Sequence, residues 1–232
     1  MKKILIATAV ALSLSAAAQA AESTAVLKVA GVLTNDACTP ELDGGGVVDF
    51  GTKYINELSA TEVNQLGNKD ISFKISCTAP TKVGFNISDD RVGSKANIIV
   101  EHTSFTDTNE TAWTDSIRYG VGQTAGGVNI GAYSVAVNRS AVTADGQTQT
   151  ALQARAENIG ENDWHVWTGT SDLPLNNGAY TYSIGTSEGR LVAFTNAEFP
   201  LRVALAVQKT DALAITDNTT LDGQATITLI YL

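Results

Sequence analysis

Apolar and polar positions alternate with a period of two in several stretches of the chain. Ile71, Phe73, Ile75 and Cys77 alternate with Ser72, Lys74 and Ser76; after the turn Ala79-Pro80-Thr81 the pattern resumes at Val83, Phe85 and Ile87. That is the period of a half-buried strand, so 71–88 predicts two successive strands with Cys77 just before the corner. From Phe199-Pro200 onward, Leu201, Val203, Leu205 and Val207 face one way, and Arg202, Ala204, Ala206 and Gln208 the other. After a loop containing Asp217-Asn218 and Asp222-Gly223, Ala225, Ile227, Leu229 and Tyr231 alternate with Thr226, Thr228 and Ile230. Shorter strands are expected at Val26–Leu33, Val47–Gly51, Asn97–Val100, Ile117–Val121, Ile130–Val137 and Leu191–Thr195. Residues 101–116 and 138–178 are rich in loop formers, and Thr148 to Asn158 predicts one helix with a thin apolar face. Many short strands separated by turn signals, without a strong amphipathic helix, predict an all-β sandwich of antiparallel sheets. No repeat or linker divides it.

The N-terminus departs from this pattern. Lys2 and Lys3 precede the apolar run Ile4 to Leu14, and Ala18-Gln19-Ala20 has the small-x-small form of a cleavage site. Residues 1–20 are therefore expected to be a bacterial signal peptide, leaving a single domain at 21–232. The apolar run is too short to span a bilayer, which takes about 20 residues. The formal net charge of −9 disfavours nucleic acid and anionic lipid as partners. The two cysteines, Cys38 and Cys77, predict a disulfide in an oxidising compartment, because neither a C-x-x-C spacing nor a neighbouring histidine suggests a metal or a catalytic thiol. Closing a loop of that length stabilises by about 4 kcal/mol on the chain-entropy account.

The strand at the C-terminus is the most informative stretch. Terminal residues commonly fray, whereas here an ordered apolar face continues to Tyr231. On pattern alone it is equally an ordinary edge or closing strand. Five features resemble the subunits of chaperone–usher fimbriae. They are the strand leading into the first cysteine (Lys28 to Cys38), V-D-F-G at Val48 to Gly51 and the strand–Cys–turn block Ile71 to Pro80. The paired strands Phe199–Gln208 and Ala225–Tyr231, and the penultimate tyrosine, complete the set. A-C-T-P at Ala37 to Pro40, G-G-G-V-V-D-F-G at Gly44 to Gly51, S-C-T-A-P at Ser76 to Pro80 and F-P-L at Phe199 to Leu201 also resemble a narrower group. That group is the GltF-like family of exported bacterial proteins, which carries a domain of unknown function.

The fimbrial resemblance implies an immunoglobulin-like sandwich of pilin type that lacks its last strand, here with a long central insertion. It implies a hydrophobic groove beside the final strand, filled first by a periplasmic chaperone and then by a neighbouring fimbrial subunit. On this reading Ala225, Ile227, Leu229 and Tyr231 pair with the donated strand, and the protein resides in the periplasm or in a fimbrium on the cell surface. Two departures bear on it. Only Ala21 to Ala25 precede the first expected strand, and five extended residues reach at most about 18 Å, too short to donate a strand. Such a subunit would accept a strand at a tip or terminus, or the sandwich would be closed by part of 101–178. In addition, Thr219 stands where many pilins carry a glycine.

Candidate chemistry elsewhere is sparse. Trp164, His165 and Trp167 fall in a polar stretch, with Trp113 in another loop, and aromatic rings beside Asp and Asn can stack on sugars, as a carbohydrate-binding tip adhesin requires. Alternation puts Trp164 and Val166 on one face and His165 and Trp167 on the other, so at least one tryptophan is expected in the core. With only His102 and His165 and no free reactive thiol expected, no catalytic residues, metal site or cofactor are expected.

Overall fold

Three strands open the described part of the chain: β1 (Cys38–Leu42), β2 (Asn64–Thr81) and β3 (Val83–Asp89). The computed structural model describes residues 37–107, 109–168, 171–215 and 218–232, all within the unit Asn35–Leu232. The expected signal segment 1–20, the start at Ala21 and the strand Val26–Leu33 lie outside the described residues. β2 and β3 are separated by Lys82 alone, and there the chain passes from one sheet to the other. The 71–88 alternation thus becomes a corner, with Phe73, Ile75 and Cys77 buried from one side and Val83, Phe85 and Ile87 from the other.

The central stretch supplies β4 (Tyr119–Gly120), β5 (Gly131–Val137), β6 (Thr143–Ala144), β7 (Gln147–Thr148), β8 (Thr150–Arg155) and β9 (His165–Val166). β10 (Tyr180–Gly185), β11 (Phe194–Val207), the one-turn helix α1 (Thr210–Leu213) and β12 (Ala225–Tyr231) follow. One sheet runs β1-β2-β11-β5-β4, with the β6–β7 pair also on β11; the other runs β12-β3-β10-β8-β9. Every strand pair is antiparallel. The result is an immunoglobulin-like β-sandwich. β11 accepts Pro200 because its missing N–H faces Asn138, just past the end of β5, and costs the β2 ladder nothing.

The two sheets meet at a cluster of rings. Phe85 of β3 lies 5.0 Å from Phe73 of β2 and 4.9 Å from Phe199 of β11, both edge-on, and 5.9 Å from Tyr182 of β10. Edge-to-face pairs of this kind add to the burial each ring contributes. The Cys38–Cys77 disulfide is present and joins directly opposed residues of β1 and β2. It therefore staples β1, an edge strand among the described residues, to its neighbour.

β11 is buried on both faces, which the sequence pattern does not announce. Ala204 and Ala206, with Ala132 and Ala136 of β5, lie beneath Ala96, Ile98, Val100, Ala112 and Leu173. Alanines let this outer layer approach closely. Buried charge organises the layer: Arg118 donates to the carbonyl of Ile98 at 2.7 Å and to Asn97 Oδ1 at 3.1 Å. Asp172 accepts from Ser104 Oγ and Arg139 Nε, each at 2.6 Å.

Several expected elements differ. The helix over 148–158 is absent; Thr150–Arg155 is β8, paired along its length with β10. Helix-forming side chains there are overridden because a short helix is costly to nucleate, whereas β10 offers a partner for each residue. Val47–Gly51 is irregular, not a strand: Gly44, Gly45 and Gly46 take positive φ values of 61°, 67° and 80°, and Val47 is exposed. At Asn97–Val100 only Val100 bridges, to Ala112, and Ile117–Val121 shrinks to β4. Leu191 forms an isolated bridge to Gly185, and the strand proper begins at Phe194, continuous through Pro200.

Phe85→Ala should cost roughly 3–5 kcal/mol in urea unfolding, because the ring bridges both sheets. Replacing Cys38 and Cys77 together by alanine should cost about 4 kcal/mol in the same assay, and added reductant should reproduce the loss in the unsubstituted chain.

Candidate functional site

β12 is the outermost strand of its sheet, paired with β3 over its whole length, and among the described residues nothing pairs with its other edge. The phase of the ladder follows from its ends. Asp90 N–H donates to the Gln224 carbonyl at 3.0 Å, and Leu232 N–H to the Lys82 carbonyl at 3.1 Å. Antiparallel partners alternate between hydrogen-bonded and non-bonded pairs, so Gln224, Thr226, Thr228, Ile230 and Leu232 spend their backbone groups on β3. The N–H and C=O groups of Ala225, Ile227, Leu229 and Tyr231 therefore point away from β3, to the free edge.

The side chains of the same residues face the sandwich. Ala225, Ile227 and Leu229 are half-buried and pack on the main core, as do Leu42 and Leu66 of the first sheet and Phe50 and Leu58 of the segment between β1 and β2. Tyr231 is 51% exposed, and its Oη accepts from the Cys38 N–H at 2.8 Å, crossing from one sheet edge to the other beside the disulfide. The start of β12 is pinned as well. Asp90 Oδ2 accepts from Thr226 Oγ1 at 2.8 Å and Gln224 Nε2 at 3.0 Å. Arg91 grips Asp222 with Nε and Nη2 at 3.0 and 3.2 Å. That hydrogen-bonded carboxylate raises the pKa of the Arg91 guanidinium. Burial pushes the neighbouring Asp89 carboxyl up, opposed by the Arg91 and Gly120 N–H groups that donate to it. Gly223, just before the strand, allows the chain past Tyr133, whose Cε1 would lie 2.8 Å from an added Cβ.

The four residues singled out at the C-terminus thus lie together on one edge. Strands drawn from 101–178 occupy the opposite ends of the two sheets, with β4 far from β1 and β9 far from β12. Trp164 and Trp167 are 3% and 7% exposed, so neither offers a face to a sugar. Trp164 packs with Leu152 and Ala154, while Trp167 lies 4.5 Å from Tyr182 and beneath Arg139. His165, between them, is exposed. Sequence reasoning passed over Asp90 and Arg91, which hold the start of β12; the D-D-R run at Asp89 to Arg91 is the signal that was available.

The family described as "Protein of unknown function (DUF1120)" matches residues 27–134. Over its full length the chain is 30% identical to "Protein GltF" of Escherichia coli (strain K12), covering 99% of that protein. It is also 30% identical to "Uncharacterized protein YhcF" of the same organism, covering 98% of it. The chain belongs to the GltF family. The family-like motifs occupy distinct places in the fold. The A-C-T-P motif enters β1, S-C-T-A-P runs to the end of β2, and F-P-L sits where β11 takes on β5 as a neighbour. The glycine-rich G-G-G-V-V-D-F-G forms the irregular crossing after β1. For this GltF-family chain, Tyr231→Phe should lower stability by about 1 kcal/mol in urea unfolding, because only the hydrogen bond to Cys38 is lost.

Proposed function

We propose that this protein is a non-enzymatic, exported structural subunit of fimbrial type, whose β12 edge accepts a strand donated by a periplasmic chaperone or a neighbouring subunit. The observation that supports this reading is the double role of Ala225, Ile227 and Leu229. Their backbone groups are offered sideways while their side chains line the space between the sheets. A strand added there would gain main-chain hydrogen bonds, and its alternate side chains would enter the sandwich beside Ile227 and Leu229. An edge of this kind is an aggregation hazard when left open, which is a reason for a dedicated partner. The disulfide is in keeping with an oxidising compartment, and no described helix is long and apolar enough to cross a membrane.

Hydrogen exchange tests the reading residue by residue. In the free chain the amides of Ala225, Ile227, Leu229 and Tyr231 should exchange fast, and those of Thr226, Thr228 and Ile230 slowly. Co-expression with a chaperone-and-usher pair should yield a complex in which all of them are slow. A chain that folds reversibly alone, never co-purifies with a chaperone and protects the odd-numbered amides by itself would be self-complemented, and the proposal would fail.

A further inference from the structure

Trp113 is 67% exposed, and the residue before it is tied into the fold. Ala112, just before it, exchanges both hydrogen bonds with Val100, at 3.1 and 2.8 Å, and both of those side chains are fully buried. With Ala112 turned into the outer layer, alternation turns Trp113 outward, onto the wall of a groove of about 500 Å³. That volume is within the usual range for small-ligand sites. Asp107, Asn109, Glu110 and Ser171 supply polar lining, and Leu173 and Leu175 apolar lining. Glu110 is held in place at two points. Its Oε2 accepts the Asp172 N–H at 3.4 Å, and its carbonyl accepts from Thr103 Oγ1 at 3.0 Å.

Each part of this lining narrows the ligand. An indole face with its negative quadrupole attracts the C–H face of a ring. Carboxylates and an amide accept hydrogen bonds from hydroxyl groups, strongly so where the acceptor is ionised. Among the described residues no lysine or arginine lines the groove, so a phosphate, sulfate or carboxylate on the ligand would meet only repulsion from Asp107 and Glu110. A pyranose combines a C–H face with a rim of hydroxyls and carries no charge. We infer that the Trp113 groove binds a short neutral saccharide, with the sugar ring stacked on Trp113 and its hydroxyls bonded to Asp107, Asn109 and Glu110. The site is separate from the β12 edge and does not depend on the strand-docking reading. It also differs from the Trp164–Trp167 stretch, whose indoles are spent on packing.

The test is a glycan array carrying neutral and sialylated oligosaccharides, probed with the exported chain, together with its chaperone where one co-purifies. Each array ligand is then titrated in solution by tryptophan fluorescence. At least one neutral oligosaccharide should bind and change the emission, while its sialylated counterpart should not bind. Trp113→Ala should weaken binding by at least about tenfold with the melting curve unchanged, because the indole is exposed. Paired Asp107→Ala and Asn109→Ala substitutions should weaken it as well, without touching the indole. Binding that survives Trp113→Ala, a preference for sialylated glycans, or no binding of any neutral glycan at roughly millimolar concentration would overturn the inference.

Discussion

The fold depends on the packing of Phe85 against Phe73 and Phe199 across a corner one residue wide. Lys82 alone separates β2 from β3, so the chain has no slack with which to correct a poor alignment of the sheets. Phe73 and Phe199 occupy directly opposed positions on β2 and β11, and Phe85 enters against both from the facing sheet. That contact sets the long β2–β11 ladder against the β3–β12 pair, and the remaining strands extend outward from these. β5 and β6 add to β11, β10 adds to β3, and β8 adds to β10.

The outer layer obeys different physics. Its apolar contact is a separate cluster, in which Ile98, Val100 and Leu173 lie among alanines. Beside that cluster, two buried charged side chains tie the layer together. Arg118 and Asp172 are surrounded by carbonyls, hydroxyls and a counter-charge, and those partners come from segments distant in sequence. Residues that are sparse in regular structure are held in this way, and Trp113 follows directly on the Ala112–Val100 bridge of the same layer.

What the sequence revealed follows the strength of local periodicity. The 71–88, 201–207 and 225–231 stretches alternate cleanly, because each buries one face in the main core, and all three are strands. The cystine was legible from the count and the compartment alone. β8 was not, since Thr150 to Arg155 is built from residues that also suit a helix, and only the presence of β10 decides between them. Val47 to Phe50 misled for the opposite reason: β-prone residues without a partner strand remain irregular. At the β12 edge the four inward residues could be read from alternation. The direction of their backbone groups could not, because it depends on the phase of pairing with β3. The environments of Trp164 and Trp167 were likewise set by tertiary neighbours, Leu152 and Tyr182 among them.

The anchoring of β12 at Asp90 has a consequence for error. A strand shifted by one residue against β3 would exchange two properties at once. Thr226 and Thr228 would turn toward the apolar interior and carry the outward row of donors and acceptors, while Ile227 and Leu229 would turn to solvent and spend their backbone groups on β3. Neither fault could be repaired without the other, so intermediate frames offer no partial reward. The carboxylate of Asp90, gripping Thr226 and Gln224 at the first step of the ladder, acts as a reading-frame mark for the strand. It sets the frame from the end at which the chain arrives.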